Sequence, residues 1–347
     1  MANRSHEIWM ARALSLAVEG KSKTQPNPMV GCVIVKDGDI ISEGYHKEYG
    51  ASHAEVNALT DIDAEGATAY VSLEPCSHTG KTPPCADLLI KKKISRVYTA
   101  MEDPNPRVSG SGHQRLRENG IEVITGILEE EAREINRIFI HLQSSPLPYI
   151  TLKWAESQDG FMDPNTTPIK GRGSIAISSS SSSKVVHRLR SLHNSILIGR
   201  NTLEVDNPNL TSREDSGVNP IKIVIDPNCS VDYSRLNITK GVERTIVVCN
   251  TGKTTSHSPN EGIEYCEGLE SGLDHVMLKL RDMGVYSILI EGGASTLKSF
   301  ISDDLWNEAY VFKSQQKLSS GLRAPELDIA NFNTSKLGED YLFHLIR

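Results

Sequence analysis

SHAEVNAL (Ser52–Leu59) and LEPCSHTGKTPPC (Leu73–Cys85) decide the reading of the first half of this chain. In the first stretch His53 and Glu55 stand two residues apart at the start of a helical repeat. In the second, Cys76 and Cys85 each follow a proline, with eight residues between them. One imidazole and two thiolates make a three-ligand zinc set, which leaves the fourth tetrahedral position to water and lowers that water's pKa. Glu55, adjacent but not a ligand, is then placed to carry a proton from water to a ring nitrogen and a leaving amine. H-x-E followed by P-C-x-x-C is the general signature of such deaminases, and here the second spacing is longer. The competing reading is a closed structural zinc site, which needs a fourth ligand; His78 is the candidate. A histidine and two cysteines at helix starts after strands also suit thiolate and carboxylate electrostatically. These residues predict metal-assisted removal of an amino group from a nitrogen heterocycle, and by themselves no narrower substrate.

Around this motif the pattern is α/β. His6 to Glu19 has the three- and four-residue apolar spacing of a helix. Met29–Val35, the turn Asp37-Gly38 and Asp39–Tyr45 read as a hairpin. Helices are expected at Glu55–Thr60, Ala86–Lys92, up to Asn119, and as one amphipathic helix over Leu128–Gln143. Strands are expected at Ala67–Leu73, Ser95–Ala100 and Ile121–Thr125. SSPLP (Ser144–Pro148) ends that series and divides the chain into domains at 1–145 and 149–347. Strands at Tyr149–Ala155, Ser195–Gly199, Ile221–Ile225, Thr245–Val248 and Ser287–Ile290 open a second α/β series. The six serines Ser178–Ser183 read as a flexible surface loop, or else supply the cap of the helix entering VVHRLRSL.

The chain has 347 residues, 38% of them hydrophobic and 23% charged, and a net charge of −7. That is the composition of a globular protein with two cores. It has no Lys/Arg stripe to grip a nucleic acid, no apolar run long enough for a bilayer and no secretory leader, so a cytoplasmic enzyme of small molecules is expected. Six scattered cysteines in a reducing cytosol point to ligands or buried hydrophobes rather than disulfides.

At QPNPMVGCVIV (Gln25–Val35), EGYHKEYGASHAE (Glu43–Glu55), VSLEPCSHTGKTPPC (Val71–Cys85) and MEDPNPRVSGSG (Met101–Gly112) the chain resembles the bifunctional deaminase–reductase family of riboflavin biosynthesis. The resemblance continues through KWAESQDG (Lys153–Gly160), VHRLR (Val186–Arg190), LIGRNTLEVDNPNLTSR (Leu197–Arg213) and EGGAST (Glu291–Thr296), and so covers almost the whole chain. It implies a cytidine-deaminase-like three-layer domain followed by a dihydrofolate-reductase-like α/β domain. The implied substrate is a diamino-ribosylamino-pyrimidinone phosphate, deaminated first; NADPH then reduces its ribosyl group to ribityl. It further implies that Asn27, His46, His78, Lys81, Asp103 and Asn105 contact the deaminase substrate.

In the second half the resemblance implies cofactor contacts at Glu156, Ala176, Thr202, Asp206, Gly292 and Gly293, and substrate contacts at Ser174, Arg190, Leu210, Arg213 and Glu291. Glycines at the strand-to-helix turn EGGAST allow backbone to approach a phosphate, and without G-x-G-x-x-G a Rossmann domain is not expected. Guanidinium at Arg190 and Arg213 suits a phosphate; the plainer reading of Arg190 is a solvated helix face. Two departures stand out: Ala176 occupies the place of a family tryptophan, and the stretch from Gly160 to Ser174 is longer than usual. They leave open a deaminase with an inactive second domain. The other rivals are a tRNA deaminase and a structural zinc module fused to a nucleotide-binding domain. A homo-oligomer, dimer or tetramer, is expected from the resemblance.

Overall fold

The computed structural model describes residues 2–78, 83–105, 108–173, 175–213, 218–254, 262–328 and 331–347. The chain divides into two compact units, 1–145 and 146–347.

In the first unit the strands β1 (Gly31–Lys36), β2 (Asp39–Tyr45), β3 (Thr68–Val71), β4 (Arg96–Thr99) and β5 (Glu122–Thr125) form one sheet in the order β2-β1-β3-β4-β5. The hairpin β1–β2 and the pair β1–β3 are antiparallel, and β3, β4 and β5 run parallel. Alternation along β1 shows why the unit has three layers. Cys32 and Ile34 pack with α2 (Ala54–Leu59), α3 (Cys85–Lys91) and α4 (Ser111–Glu118), through Ala58, Leu59, Ala86, Leu89 and Leu116. Val33 and Val35 face the other way, against Met10, Ala13 and Leu14 of α1 (Ala2–Val18) and Ala132 of α5 (Glu129–Ile135). The single helix expected over Leu128–Gln143 is two, because α6 (Arg137–Ser144) starts afresh after Asn136. The Asn136 side chain is spent on the backbone of Met29, accepting from its N–H at 2.9 Å and donating to its carbonyl at 3.0 Å. That buried double bond fixes the helix junction and the Asn27–Met29 turn together.

The second unit has nine strands in the order β11-β10-β9-β8-β12-β6-β13-β16-β15. In chain order these are β6 (Tyr149–Glu156), β8 (Ser195–Gly199), β9 (Ile221–Ile225), β10 (Thr245–Cys249), β11 (Ile263–Glu267), β12 (Ser287–Ile290), β13 (Glu308–Lys313), β15 (Asn333–Leu337) and β16 (Asp340–Ile346), while β7 (Phe161–Asp163) and β14 (Leu322–Arg323) pair apart from them. From β11 to β13 all neighbours are parallel; β16 and β15 close the edge antiparallel. The parallel strands are covered on both faces, so SILIG of β8 and TIVVC of β10 are buried throughout. On one face Val276, Met277 and Leu280 of α9 (Leu273–Asp282) and Leu297 and Phe300 of α10 (Ala294–Ser302) pack on the sheet; on the other, Leu203 of α8 (Arg200–Asp206) does.

The serine run is not a loop. Ser180–Leu192 is helix α7, and Ser179 caps it by accepting from the Ser182 N–H. Asp340 completes the cap by accepting from the Ser179 N–H at 2.7 Å and from the Ser182 hydroxyl. Low complexity concealed a cap whose second half lies 158 residues away. The topology places one edge of the sheet for chemistry: β12 inserts between β6 and β8, so Glu156, Gly199 and Glu291-Gly292-Gly293 all leave the carboxyl ends of adjacent strands.

Candidate active sites

His53 is the residue before α2, Glu55 lies in its first turn, and Cys85 opens α3. Cys76 sits beyond β3 on a stretch with no regular structure. The local folding thus brings three helix- and loop-borne groups to the carboxyl end of β3. His53 Nδ1 is 3.6 Å from Cys76 Sγ and 3.3 Å from Cys85 Sγ, and the Cys85 N–H donates to Cys76 Sγ at 3.3 Å. Bonds of about 2.0 Å to nitrogen and 2.3 Å to sulfur at a tetrahedral angle set N and S ~3.5 Å apart, so these three atoms fit one zinc ion. His78 is exposed and outside the group, which among the described residues has three members. A closed four-ligand site is therefore not built from His78.

Charge in the cluster follows from burial and hydrogen bonding. Cys76 is held down to about 4, chiefly by the Cys85 thiol and further by His53 and the Cys85 N–H, while the same hydrogen bond pushes Cys85 up. His53 is raised by its bond to Cys76. Burial, reinforced by the nearby Cys76 charge, lifts the Glu55 carboxyl to about 7, where it can both take and give a proton near neutrality.

Above the cluster lies a cavity of about 420 Å³. Asn27, His46, His53, Glu55, Cys76, His78, Asp103 and Asn105 all line it, so every deaminase candidate but Cys85 and Lys81 meets there. Cys85 is fully buried behind the other two ligands, and Lys81 lies outside the described residues. His46 Nδ1 is 3.1 Å from the Ser52 carbonyl and so carries the hydrogen, leaving the buried Nε2 as a bare acceptor with no partner among the described residues. Burial lowers its pKa and keeps the ring neutral. Phe139 and Gln143 of α6 and Glu74 complete the wall; the sequence reading missed them. Glu74 had a legible signal, an acid inside the otherwise apolar VSLEPC; the α6 residues had none, because only the fold brings that helix over the pocket.

In the second unit Arg190 is not a solvated helix face. It is mostly buried and grips Glu291 with two bonds of 2.7 Å from Nε and Nη2, while Nη1 donates to the Thr211 carbonyl at 2.9 Å. Lys153 approaches the same carboxylate at 3.7 Å. Burial works to raise Glu291, but the charges of Arg190 and Lys153 outweigh it and hold the carboxyl at about 2. Burial lowers Lys153 against the pull of Glu291. Leu210, buried with a φ of +53°, precedes Thr211, and Arg213 is exposed two residues on; Ser174 lies outside the described residues. The sequence reading gave Lys153 no role.

A cavity of about 630 Å³ opens beyond β8, β9 and β12, with Thr202, Gly293, Arg200 and Lys298 on its polar side and Ile225, Leu269 and Leu273 on its apolar side. Gly292 needs to be glycine at φ +114°, and a Cβ on Gly293 would stand 3.1 Å from Thr202 Oγ1. The Arg200 Nε is buried and has no hydrogen-bond partner among the described residues. Cationic groups, a cradle without Cβ and an apolar slab fit a dinucleotide with phosphates. Glu156 instead accepts from Trp154 Nε1 at 3.0 Å and pairs with Lys313 at 3.4 Å. Asp206, raised by burial, faces Arg172 and Asp163. Ala176 is exposed and lines a separate cavity of about 270 Å³. Arg172, which pairs with Asp163, belongs to the long stretch after Gly160, whose Gly171 and Gly173 N–H groups donate to Glu204 and Val205 of α8.

A three-ligand metal cluster beside a buried, proton-poised carboxylate, in a three-layer α/β unit, defines a zinc-dependent deaminase; the second unit has the doubly covered parallel sheet and open carboxyl edge of a nucleotide-cofactor enzyme. Comparison with known proteins agrees at both ends. Residues 3–101 match the family described as the cytidine and deoxycytidylate deaminase zinc-binding region, and residues 148–313 match the RibD C-terminal domain. The riboflavin biosynthesis protein RibD of Aquifex aeolicus is 38% identical over 98% of this chain and 98% of its own length. Its counterpart in Escherichia coli is 38% identical over 91% and 89%. The crystal structure of a Thermotoga maritima diaminohydroxyphosphoribosylaminopyrimidine deaminase/5-amino-6-(5-phosphoribosylamino)uracil reductase superposes with a TM-score of 0.87 at 31% identity, covering 100% of this chain and 99% of that one. Acinetobacter baumannii RibD gives 0.83 at 32%, covering 99% of each chain. This chain belongs to the RibD family of riboflavin-biosynthesis deaminase–reductases.

Proposed function

We propose that residues 1–145 deaminate the pyrimidine ring of a diamino-ribosylamino-pyrimidinone phosphate and that residues 149–347 then reduce the ribosyl chain of the product to ribityl. The single observation that carries the reading is the His53–Cys76–Cys85 cluster with Glu55 beside it in the wall of one cavity. Zinc supplies Lewis acidity there, which makes water a nucleophile at neutral pH. Glu55, buried beside the cluster, takes a proton from the attacking water on its carboxylate and returns it to the ring nitrogen and the departing amine. His46 Nε2 accepts a hydrogen bond from the ring's edge, Asp103 and Asn105 read its amino and carbonyl groups from the opposite wall, and Asn27 closes the turn beside them. His78 and Lys81 reach the phosphate from the cysteine segment.

In the second unit NADPH supplies the hydride. Thr202 and Gly293, with Arg200 and Lys298, line the cavity that would hold its phosphates beside the Gly292 turn; Asp206, Glu156 and Ala176 lie outside that lining and are cofactor contacts only by the resemblance. Arg190 and Glu291, locked to each other, would present a fixed polar edge to the ribosyl chain, with Leu210 and Arg213 flanking the Thr211 carbonyl that Arg190 also holds; Ser174, outside the described residues, joins them only by the resemblance. Six unpaired cysteines accord with a reducing cytoplasm, and the exposed edge strand β15 accords with a homo-oligomer. No helix among the described residues is long and apolar enough to cross a membrane.

The test uses the purified, zinc-loaded full chain. Ammonia is expected from the diaminopyrimidinone phosphate without cofactor, and NADPH oxidation is expected only once the deaminated product is present. Ammonia without NADPH turnover would reduce the reading to a deaminase with a passive second unit. Ammonia from tRNA in preference to the small substrate would overturn it.

A further inference from the structure

The deamination chemistry makes no use of Glu74, yet this buried carboxylate is among the most heavily bonded groups in the first unit. Its Oε2 accepts from the N–H groups of Asp103 at 3.1 Å and Gly110 at 2.9 Å, and its Oε1 from those of Gly112 at 2.8 Å and His113 at 3.3 Å. Its own N–H donates to the Met101 carbonyl at 3.0 Å. A carboxylate out of water must have its lone pairs filled, and here backbone fills them. The four donors come from both ends of the segment joining β4 to α4, so one side chain gathers that segment.

The gathered segment carries cavity-lining groups. Asp103 Oδ1 accepts from the Asn105 N–H at 2.8 Å, which turns both residues into one unit on the wall. The other side of the clamp is the stretch that bears Cys76. A Cβ on Gly112 would stand 1.9 Å from the Pro75 carbonyl oxygen, so the two backbones touch, and Ser77 Oγ meets Ser111 Oγ at 2.7 Å. Glu74 therefore lies between a metal ligand two residues along its own chain and the Asp103–Asn105 part of the cavity wall.

We propose that Glu74 is a positioning residue of the deaminase: it docks the Asp103–Asn105 wall onto the cysteine-bearing stretch and so sets the distance between the groups that read the pyrimidine and the metal cluster. The proposal rests on the deaminase reading. Glu74→Gln replaces an accepting oxygen with an NH₂ group that faces N–H donors, and Gly112→Ala pushes the same segment away while leaving the carboxylate in place. In the zinc-loaded full chain both variants are expected to keep one zinc per chain and a kcat within about threefold of the parent, while KM for the pyrimidine rises by about tenfold or more. Amide hydrogen exchange at residues 103, 110, 112 and 113 is expected to quicken in both. An unchanged KM in both variants, a fall in kcat with KM unchanged, or loss of zinc from both would overturn the proposal. If the parent itself released no ammonia, the deaminase reading would fail, and the exchange rates would still judge the clamp: unchanged rates would sink it.

Discussion

The two sites of this chain are built on opposite plans. In the first unit the reacting groups come from two short stretches, Ser52–Leu59 and Leu73–Cys85, and their donor atoms stand at metal-ligand separations. In the second, Lys153, Arg190, Thr211 and Glu291 arrive from four distant segments, two cations closing on one carboxylate and a backbone carbonyl. The difference follows from what each chemistry requires. A metal demands particular donor atoms at fixed separations, which only a few residue types and spacings supply. Hydride transfer demands that a cofactor and a substrate be held in register, which shape, backbone and a preset ion pair can do in many ways.

The largest effect that tests this contrast lies at Glu55. Glu55→Gln keeps the size and burial of the side chain and removes its ability to carry a proton. Zinc content is expected to remain at one per chain, ammonia release to fall by ~10²–10⁴-fold, and NADPH oxidation with the deaminated intermediate to stay at the parental rate. Ammonia release at the parental rate would remove Glu55 from the chemistry. A parallel loss of NADPH oxidation would show that the two units are not separable in the way the sites suggest.

The same contrast explains what could be read beforehand. The β1–β2 hairpin and the ligand trio were legible because their signals are local: alternation around Asp37-Gly38, and His, Glu and two Pro-Cys pairs in order. The break at Asn136 was not, since an Asn inside an amphipathic period gives no sign that its amide will bond to Met29, 107 residues away. A cap within the serine run was legible as an alternative to a loop, but its partner Asp340, in the last strand, was not. Arg190 reads as a substrate contact or, on its own helix, as a solvated face; neither reading holds a sign of its pairing with Glu291, 101 residues on. Residues Asp340–Ile346 were passed over because β16 shows no fully buried apolar run; it earns its place by pairing with β13.

The second effect falls on that ion pair. Glu291 is held at about 2 in the folded chain, against about 4.3 for an unfolded glutamate. A carboxyl depressed by folding stabilises the fold fully above its unfolded value, and that contribution drains away as pH falls from about 4.3 towards 2. The gap is worth ~3 kcal/mol to the second unit. Arg190→Met strands a buried carboxylate with only Lys153 at 3.7 Å, and removing one partner of such a pair costs ~3–5 kcal/mol. Trp154 and Trp306 lie in this unit and Trp9 in the first, so in a Trp9→Phe background tryptophan fluorescence in urea follows the second unit. The variant is expected to unfold at lower urea at pH 7 and to lose less stability than the parent between pH 5 and pH 3. Identical midpoints across that range would show that the pair contributes nothing.

The smallest effect concerns Ala176, which the resemblance sets in the place of a tryptophan. The cavity beside it, about 270 Å³ and lined by Ala176, Ile177, Ser314 and Gln316 among others, has room for a larger side chain at this position. An indole buries ~150–250 Å² when covered, and even partial stacking on a cofactor ring is worth ~1–3 kcal/mol. Ala176→Trp is therefore expected to tighten NADPH binding by about tenfold, read as Kd from cofactor fluorescence, with ammonia release untouched. The comparison sharpens either way. A gain would mean that this chain binds its cofactor through the phosphate cradle at Gly292-Gly293 and Arg200, and does without an aromatic wall that the fold still has space for. Unchanged or weaker binding would place the cofactor's path away from residue 176 and leave the cradle as its whole anchor. No such latitude exists at His53, Cys76 or Cys85, where one lost donor atom empties the site.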